Sequence, residues 1–306
     1  MTHLPQAPLI AQRKPLPPRE QWHRLSPIPD PHEARSRAMI LQAAAQVGGG
    51  SAIVLGAGAL KEIPIVELAE RFDRLVLVEI DLDATRRALR TCAFPQSAGC
   101  EKIELIEGDL VGLKTRLSRE IQRCPAVTTD HRCGIDRMCA VVEAAQVQPL
   151  ESGGPYDLVI ASAVLSQVYK PALDEVTSWF EGRFPDQGDA LRQSHEWIDA
   201  VGRMAARAEC AFIGHLDHLL LEGGHSRLYL SATTRYSALH ATAEGPWASP
   251  GIFTMTSRPT LSDYLPDTWN IIQASSWPWV AAPPRTAGQV GNLYRVEAVV
   301  VGRADG

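Results

Sequence analysis

The sequence predicts an α/β fold: a mostly parallel, seven-stranded sheet with helices on both faces. Three observations carry this. From Ser51 to Ser231, short apolar runs alternate with amphipathic segments of helical spacing. Runs such as Ile53-Val54-Leu55 and Leu75-Val76-Leu77-Val78 are almost continuously apolar, as strands buried on both sides are. Two further apolar runs, well separated from the others, lie near the end of the chain and close one edge of the sheet.

The elements follow in order. Eight prolines between Pro5 and Pro31 disfavour regular helix and define an extended arm. Asp30-Pro31-His32-Glu33 reads as a cap, a first-turn proline and a capping-box acid, so a helix is predicted over Pro31–Val47, stopped by Gly48-Gly49-Gly50. Strand Ala52–Leu55 and helix Ile63–Phe72 come next, then strand Leu75–Ile80 and helix Asp83–Arg90. Strand Ile103–Glu107, helix Leu113–Arg123 and strand Tyr156–Ala161 continue the alternation. A long helix is predicted over about Ala190–Leu221, with Gly202 or Gly214 as possible breaks, before strand Ser226–Ser231. After a loop-rich stretch over Tyr236–Asp267, Asn270–Ala274 and Tyr294–Val301 supply the last two strands. The expected division is an arm and helix over residues 1–50, then one domain over 51–306 carrying an insertion at about 232–268.

Composition narrows the function. The chain has 306 residues, 45% of them hydrophobic and 21% charged, enough for a core of ordinary size. A net charge of −5 argues against general attraction to nucleic acid or anionic membrane. The segment Met1–Arg37 differs, with six basic residues against three acidic ones. No run approaches the length of a spanning helix, and prolines stand where a secretory signal needs an apolar core, so the expected location is cytoplasmic. The six cysteines form no CxxC pair and are expected to be free thiols. His131 with Cys124, Cys133 and Cys139 matches no zinc spacing, so no metal is expected.

In an open parallel sheet, ligands bind beyond the carboxyl ends of the strands. Gly56-Ala57-Gly58 follows the first strand and lets backbone approach a ligand closely. The second strand ends at Glu79 and Ile80; a carboxylate there can accept hydrogen bonds from both hydroxyls of a ribose. Asp81 and Asp83 compete for that role and otherwise cap the next helix. Asp109, after Gly108, ends the third strand; it can accept from an exocyclic amine, while the amide of Leu110 donates to a ring, or it simply turns the chain.

The series AIVLGAG, LVLVEID, LIEGDL, YDLVIASAVLSQV and LLLEGGHSRLYL resembles the successive motifs of class I S-adenosylmethionine-dependent methyltransferases. It spans about Ser51–Ser231, and Asn270–Val301 resembles the closing hairpin of that family. The resemblance implies a Rossmann-like sheet and S-adenosyl-L-methionine as cofactor, with S-adenosyl-L-homocysteine as product. It implies that Gly56, Ala57 and Gly58 line the methionine and ribose part, that Glu79 and Ile80 meet the ribose, and that Asp109 and Leu110 meet adenine. Ala161 and Ser162 would lie near the methionine ammonium. The chain departs from the pattern at Val54, where an acid is common, and at Leu60, where a third glycine is common. Glu62 either compensates by facing the ammonium or caps the first helix toward solvent.

NAD(P) is the rival cofactor of the same fold class. Its sites need a third glycine and a free helix N-terminus for the pyrophosphate, where this chain has Lys61 and Pro64. For the methyl-transfer step, the residues past the fourth strand are candidates by resemblance: Ser166, Gln167 and Tyr169, of which Gln167 and Tyr169 are taken as catalytic, acting by positioning. They equally suit capping of the following helix. His195, His215, His218, His225 and His240 are the other possible bases. Trp22, Trp247, Trp269, Trp277 and Trp279 either wall an acceptor pocket or cover the sheet edge. The expected reaction is methyl transfer to a small-molecule acceptor, without membrane or nucleic-acid partners. RNA methylation and cofactor binding without turnover are the alternatives.

Overall fold

A computed structural model describes residues 31–92, 94, 100–123, 130–222, 224–242, 245–249, 260–282 and 290–303. The expectations for the proline-rich arm, Trp22 and Cys124 lie outside the described residues.

The strands are β1 (Ser51–Leu55), β2 (Arg74–Glu79), β3 (Ile103–Glu107), β4 (Leu158–Ala161), β5 (Arg227–Thr242), β6 (Gly245–Ser249), β7 (Trp269–Ala282) and β8 (Val290–Arg303). The described helices are α1 (His32–Ala45), α2 (Ile65–Arg71), α3 (Leu82–Thr91), α4 (Leu113–Gln122), α5 (His131–Ala144), α6 (Lys170–Arg183), α7 (Gly188–Gln193) and α8 (His195–Leu219). The sheet runs in the order β3-β2-β1-β4-β5-β8-β7, and β6 pairs with β5 alone. β1 is parallel to β2 and β4, with Ile53 beside Val76 and Val159; β2 is parallel to β3, and β4 to β5. This is the mostly parallel sheet that the apolar runs predict, with the Rossmann-like order that the resemblance implies.

Burial follows from the strand period of two. On one face Ile53, Leu55, Val76, Val78, Val159, Leu228 and Leu230 join a core with Leu117, Met138, Val176, Phe180, Met204 and Phe212 from the helices. The residues that alternate with them (Val54, Leu75, Leu77, Leu158 and Ile160) are also fully buried. Both faces are therefore covered, which is why these strands read as unbroken apolar runs.

The described chain forms two compact units. The larger holds Glu33–Ala232, Thr260–Ser275 and Glu297–Gly306. In its described part the smaller holds Pro31, His32 and residues 233–242, 245–249, 276–282 and 290–296. Within the smaller unit the Trp277 indole donates to Nδ1 of His32 at 3.0 Å, and Trp279 stacks on the same imidazole at 4.3 Å. Within the larger, the Trp269 indole donates to Asp217 at 2.7 Å. All three tryptophans, which belong to β7, are thus held by partners within their own unit.

The structure departs from the sequence expectations in three respects. Helix α8 runs unbroken through Gly202 and Gly214. Strand β5 continues to Thr242 and pairs antiparallel with β6, so part of the stretch read as loop is sheet. Helices α5 and α6 are additional to the predicted set. In α5 the low-propensity Cys133, Gly134 and Cys139 mask the pattern, but Ile135, Met138 and Val142 are buried at helical spacing. Gly134 permits a close approach there: a Cβ at this position would lie 2.7 Å from the Phe184 ring.

The chain steps outward from β1 to β3, then returns to β4 on the other side of β1. That reversal opens a crevice at the carboxyl ends of β1 and β4, and the binding site of such a sheet lies there.

Candidate functional site

A cavity of about 210 Å³ lies at the carboxyl ends of β1–β4. Gly56, Glu79, Ile80, Gly108, Asp109 and Leu110 form one side, from the ends of β1, β2 and β3. Ser162, Ala163, Val164, Gln167, Val168 and Pro171 form the other, from the loop after β4 and the first turn of α6.

The glycine loop is held from several directions. The amides of Gly56 and Ala57 donate to the Val78 carbonyl at 2.9 and 3.1 Å. The Gly58 amide donates to Glu79 Oε2 at 2.7 Å, and Thr85 donates to the Gly58 carbonyl at 2.7 Å. Gly56 has φ +71°, and a Cβ on it would sit 2.7 Å from a Val164 methyl, so no other residue fits without displacing the cavity wall.

Glu79 also accepts from the Ile80 amide at 2.7 Å. One carboxylate oxygen is thus tied to β1's loop and the other to its own strand end, and each keeps acceptor capacity. The rival acids separate cleanly: Asp81 caps α3 by accepting from the Asp83 amide at 2.9 Å, and Asp83 pairs with Arg86 at 3.8 Å. Asp109 accepts from the Val111 amide at 3.2 Å and from the Lys114 amide at 2.7 Å. It therefore closes the turn into α4 and also lines the cavity.

The loop after β4 contains strained backbone. Among the described residues, Leu60 and Ala163 are the non-glycine residues with left-handed φ, +57° and +53°. Such conformations persist only where surroundings impose them, and they cluster at functional sites. The Ala163 amide donates to the buried Ser231 hydroxyl at 2.8 Å. Leu60 stands where the related motif has its third glycine, and the backbone keeps the glycine-like conformation around a buried leucine side chain.

Glu62 is not a solvent-facing cap. It accepts from the Ser162 hydroxyl at 2.7 Å, across 100 residues of sequence. Nearby, the buried Tyr229 hydroxyl faces those of Ser231, Ser36 and Ser162 without closing a hydrogen bond of ordinary geometry. Burial pushes its pKa up; the three serine hydroxyls act against this, and the Glu62 charge reinforces it.

Of the residues anticipated from sequence, Gly56, Glu79, Ile80, Asp109, Leu110, Ser162 and Gln167 line the cavity. Gly58 borders it through its bond to Glu79, and Ala57 lies in the same loop. Ala161 is fully buried in β4, and neither it nor Tyr169 is on the cavity wall. His195, His215, His218 and His225 are also absent from that wall. Among the described residues no three His, Cys, Asp or Glu side chains converge as metal ligands. Ala163, Val164, Val168 and Pro171 were not anticipated; their apolar character gives no signal of a site, and only their place after β4 marks them.

The charge of the wall is the informative property. Glu79 and Asp109 line the cavity, Glu62 stands behind Ser162, and among the described residues no lysine or arginine lines it. The helix after the glycine loop begins at Pro64–Ile65, where proline has no amide hydrogen to offer.

No protein-family model matches the chain, and no curated protein sequence matches it. Solved structures do. N-methyltransferase NodS from Bradyrhizobium japonicum WM9, in complex with S-adenosyl-l-homocysteine, is 11% identical over 94% of this chain and 98% of its own, with a TM-score of 0.39. TehB from Haemophilus influenzae is 9% identical over 87% and 62%, with a TM-score of 0.40. TrmN from Thermus thermophilus is 12% identical over 89% and 49%, with a TM-score of 0.37. Likeness this slight leaves function to the chemistry of the site. Among the described residues no helix is long and apolar enough to cross a membrane.

Proposed function

We propose that the chain binds S-adenosylmethionine in this cavity and transfers its methyl group to a small-molecule acceptor. One observation carries the reading: Glu79 and Asp109 come together at adjacent strand ends in a cavity that no lysine or arginine lines among the described residues. Such a wall suits hydroxyl and amine donors and a sulfonium cation. It opposes a pyrophosphate, which needs cationic or amide donors, and so weighs against NAD(P).

In this reading Glu79 accepts from the ribose hydroxyls, and Asp109 with the Leu110 amide meets adenine. Glu62, through its bond with Ser162, supplies the negative charge for the methionine ammonium that Val54 cannot. The cofactor, when bound, supplies an electrophilic methyl group. The protein's part is to hold the acceptor in line and exclude water, effects worth up to roughly 7–11 kcal/mol in favourable systems. Val164, Val168 and Pro171 provide the apolar wall. Gln167, placed by the short turn Leu165–Gln167, is the positioning residue, consistent with a wall that carries no histidine among the described residues. Residues 51–306 form the cofactor-binding domain in this reading.

Calorimetry tests it. S-adenosylhomocysteine is expected to bind in the micromolar range, about −8 kcal/mol, and NADH to give no heat. Tight NADH binding without S-adenosylhomocysteine binding refutes the reading.

A further inference from the structure

We propose that the cleft between α4 and α5 is a second ligand site, which takes a molecule bearing two or more phosphate groups. It is distinct from the cavity at the strand ends and shares no lining residue with it. Its volume is about 680 Å³, within the range that holds a metabolite-sized ligand.

Helix periodicity builds its walls. On α4, Arg116, Arg119 and Glu120 lie three and four residues apart and share a face; on α5, Arg137, Ala140, Val141 and Ala144 do the same. The small side chains of Ala140, Ala144 and Ala145 leave the space open, and Arg116, Arg119 and Arg137 line it together with Glu120.

Charge accounting leaves these cations uncompensated. Glu120 is held by Arg123 at 2.8 Å, and Glu143 of α5 is taken by Arg203. Arg116 donates to the neutral amide oxygens of Gln146 and Gln148, which cancel no charge. Among the described residues Arg119 and Arg137 have no carboxylate partner, and the acid of the intervening sequence, Asp130, caps α5 by accepting from the Arg132 amide at 3.0 Å. Guanidinium forks match phosphate oxygens two at a time, and three of them around one cleft favour more than one phosphate. The ligand is either a free phosphorylated molecule or the backbone of an RNA strand.

The probe is inorganic pyrophosphate, titrated calorimetrically into the full chain at low salt. Binding is expected, weakened at least tenfold by Arg119→Ala with Arg137→Ala and weakened steeply by added salt. Both side chains are exposed, so the double variant should fold, and its affinity for S-adenosylhomocysteine should stay within twofold of the parent. The charge-preserving pair Arg119→Lys with Arg137→Lys should bind with intermediate affinity. Absence of binding at millimolar pyrophosphate, equal binding by the double alanine variant, or displacement by S-adenosylhomocysteine overturns the proposal. A short single-stranded RNA that competes with pyrophosphate identifies a nucleic-acid backbone as the source; failure to compete identifies a free phosphorylated molecule. The proposal does not depend on the identity of the cofactor.

Discussion

Replacing Glu79 by alanine removes an acceptor that serves two purposes. In the protein it receives the amides of Gly58 and Ile80, both at 2.7 Å. In the proposed complex it also receives the ribose hydroxyls. Hydrogen bonds to a charged group contribute about 1.5–3 kcal/mol each, so losing one net charged bond to ribose should weaken S-adenosylhomocysteine binding by roughly 10- to 150-fold. Calorimetry measures this directly. Asp81→Ala, two residues away, should change affinity less than about twofold, because Asp81 only caps α3; it should instead cost about 0.5–2 kcal/mol of stability in a urea melt. A third variant separates contact from loop position. Thr85→Val frees the Gly58 carbonyl without touching the proposed ligand, and should reduce affinity far less than Glu79→Ala. If Asp81→Ala is the more damaging to binding, or Thr85→Val equals Glu79→Ala, Glu79 is not the ribose acceptor.

Three further outcomes follow from the same geometry. Glu62→Gln should weaken S-adenosylhomocysteine binding about 5- to 20-fold while leaving 5′-methylthioadenosine, which lacks the amino-acid portion, nearly unaffected; equal losses for both ligands in competition assays would remove Glu62 from the ammonium site. Leu60→Gly relieves left-handed strain of about 1–2 kcal/mol but empties a buried leucine site worth about 2–5 kcal/mol, so chemical denaturation should report net destabilisation despite glycine being the residue of the related motif. His215 has its pKa lowered by burial first and by the neighbouring His218 charge second, so the folded state binds fewer protons there than the unfolded chain. Its contribution is present above the ordinary value of 6.5 and is lost as pH falls below it; urea midpoints should drop from pH 7 to pH 5, and His215→Gln should flatten that dependence.

What the sequence determined by itself was everything that local periodicity encodes. Runs such as Leu75–Val78 announce strands because both their faces are buried, and Glu79 stands out as the acid that ends such a run, whereas Asp109 follows a strand that already holds Glu104 and Glu107 and is marked by Gly108 before it. Asp81 as a cap was likewise readable, since capping acts over two residues. Helix α5 was not, because Gly134 and two cysteines are poor helix formers and its buried residues Ile135, Met138 and Val142 find their partners in a core shared with the distant helix α8. The far part of β5 was not, because its polar alternation resembles a loop until β6 pairs with it.

The tertiary structure decided the relations between distant residues. It turned Glu62 toward Ser162, 100 positions away, imposed left-handed backbone on Leu60 and Ala163, and kept Tyr169 off the cavity wall while placing Gln167 on it. It also set three arginines from two helices around one cleft. The physical reason is the same in each case: a side chain's chemistry depends on the charges and donors within a few ångströms, and chain folding, not sequence spacing, chooses those neighbours.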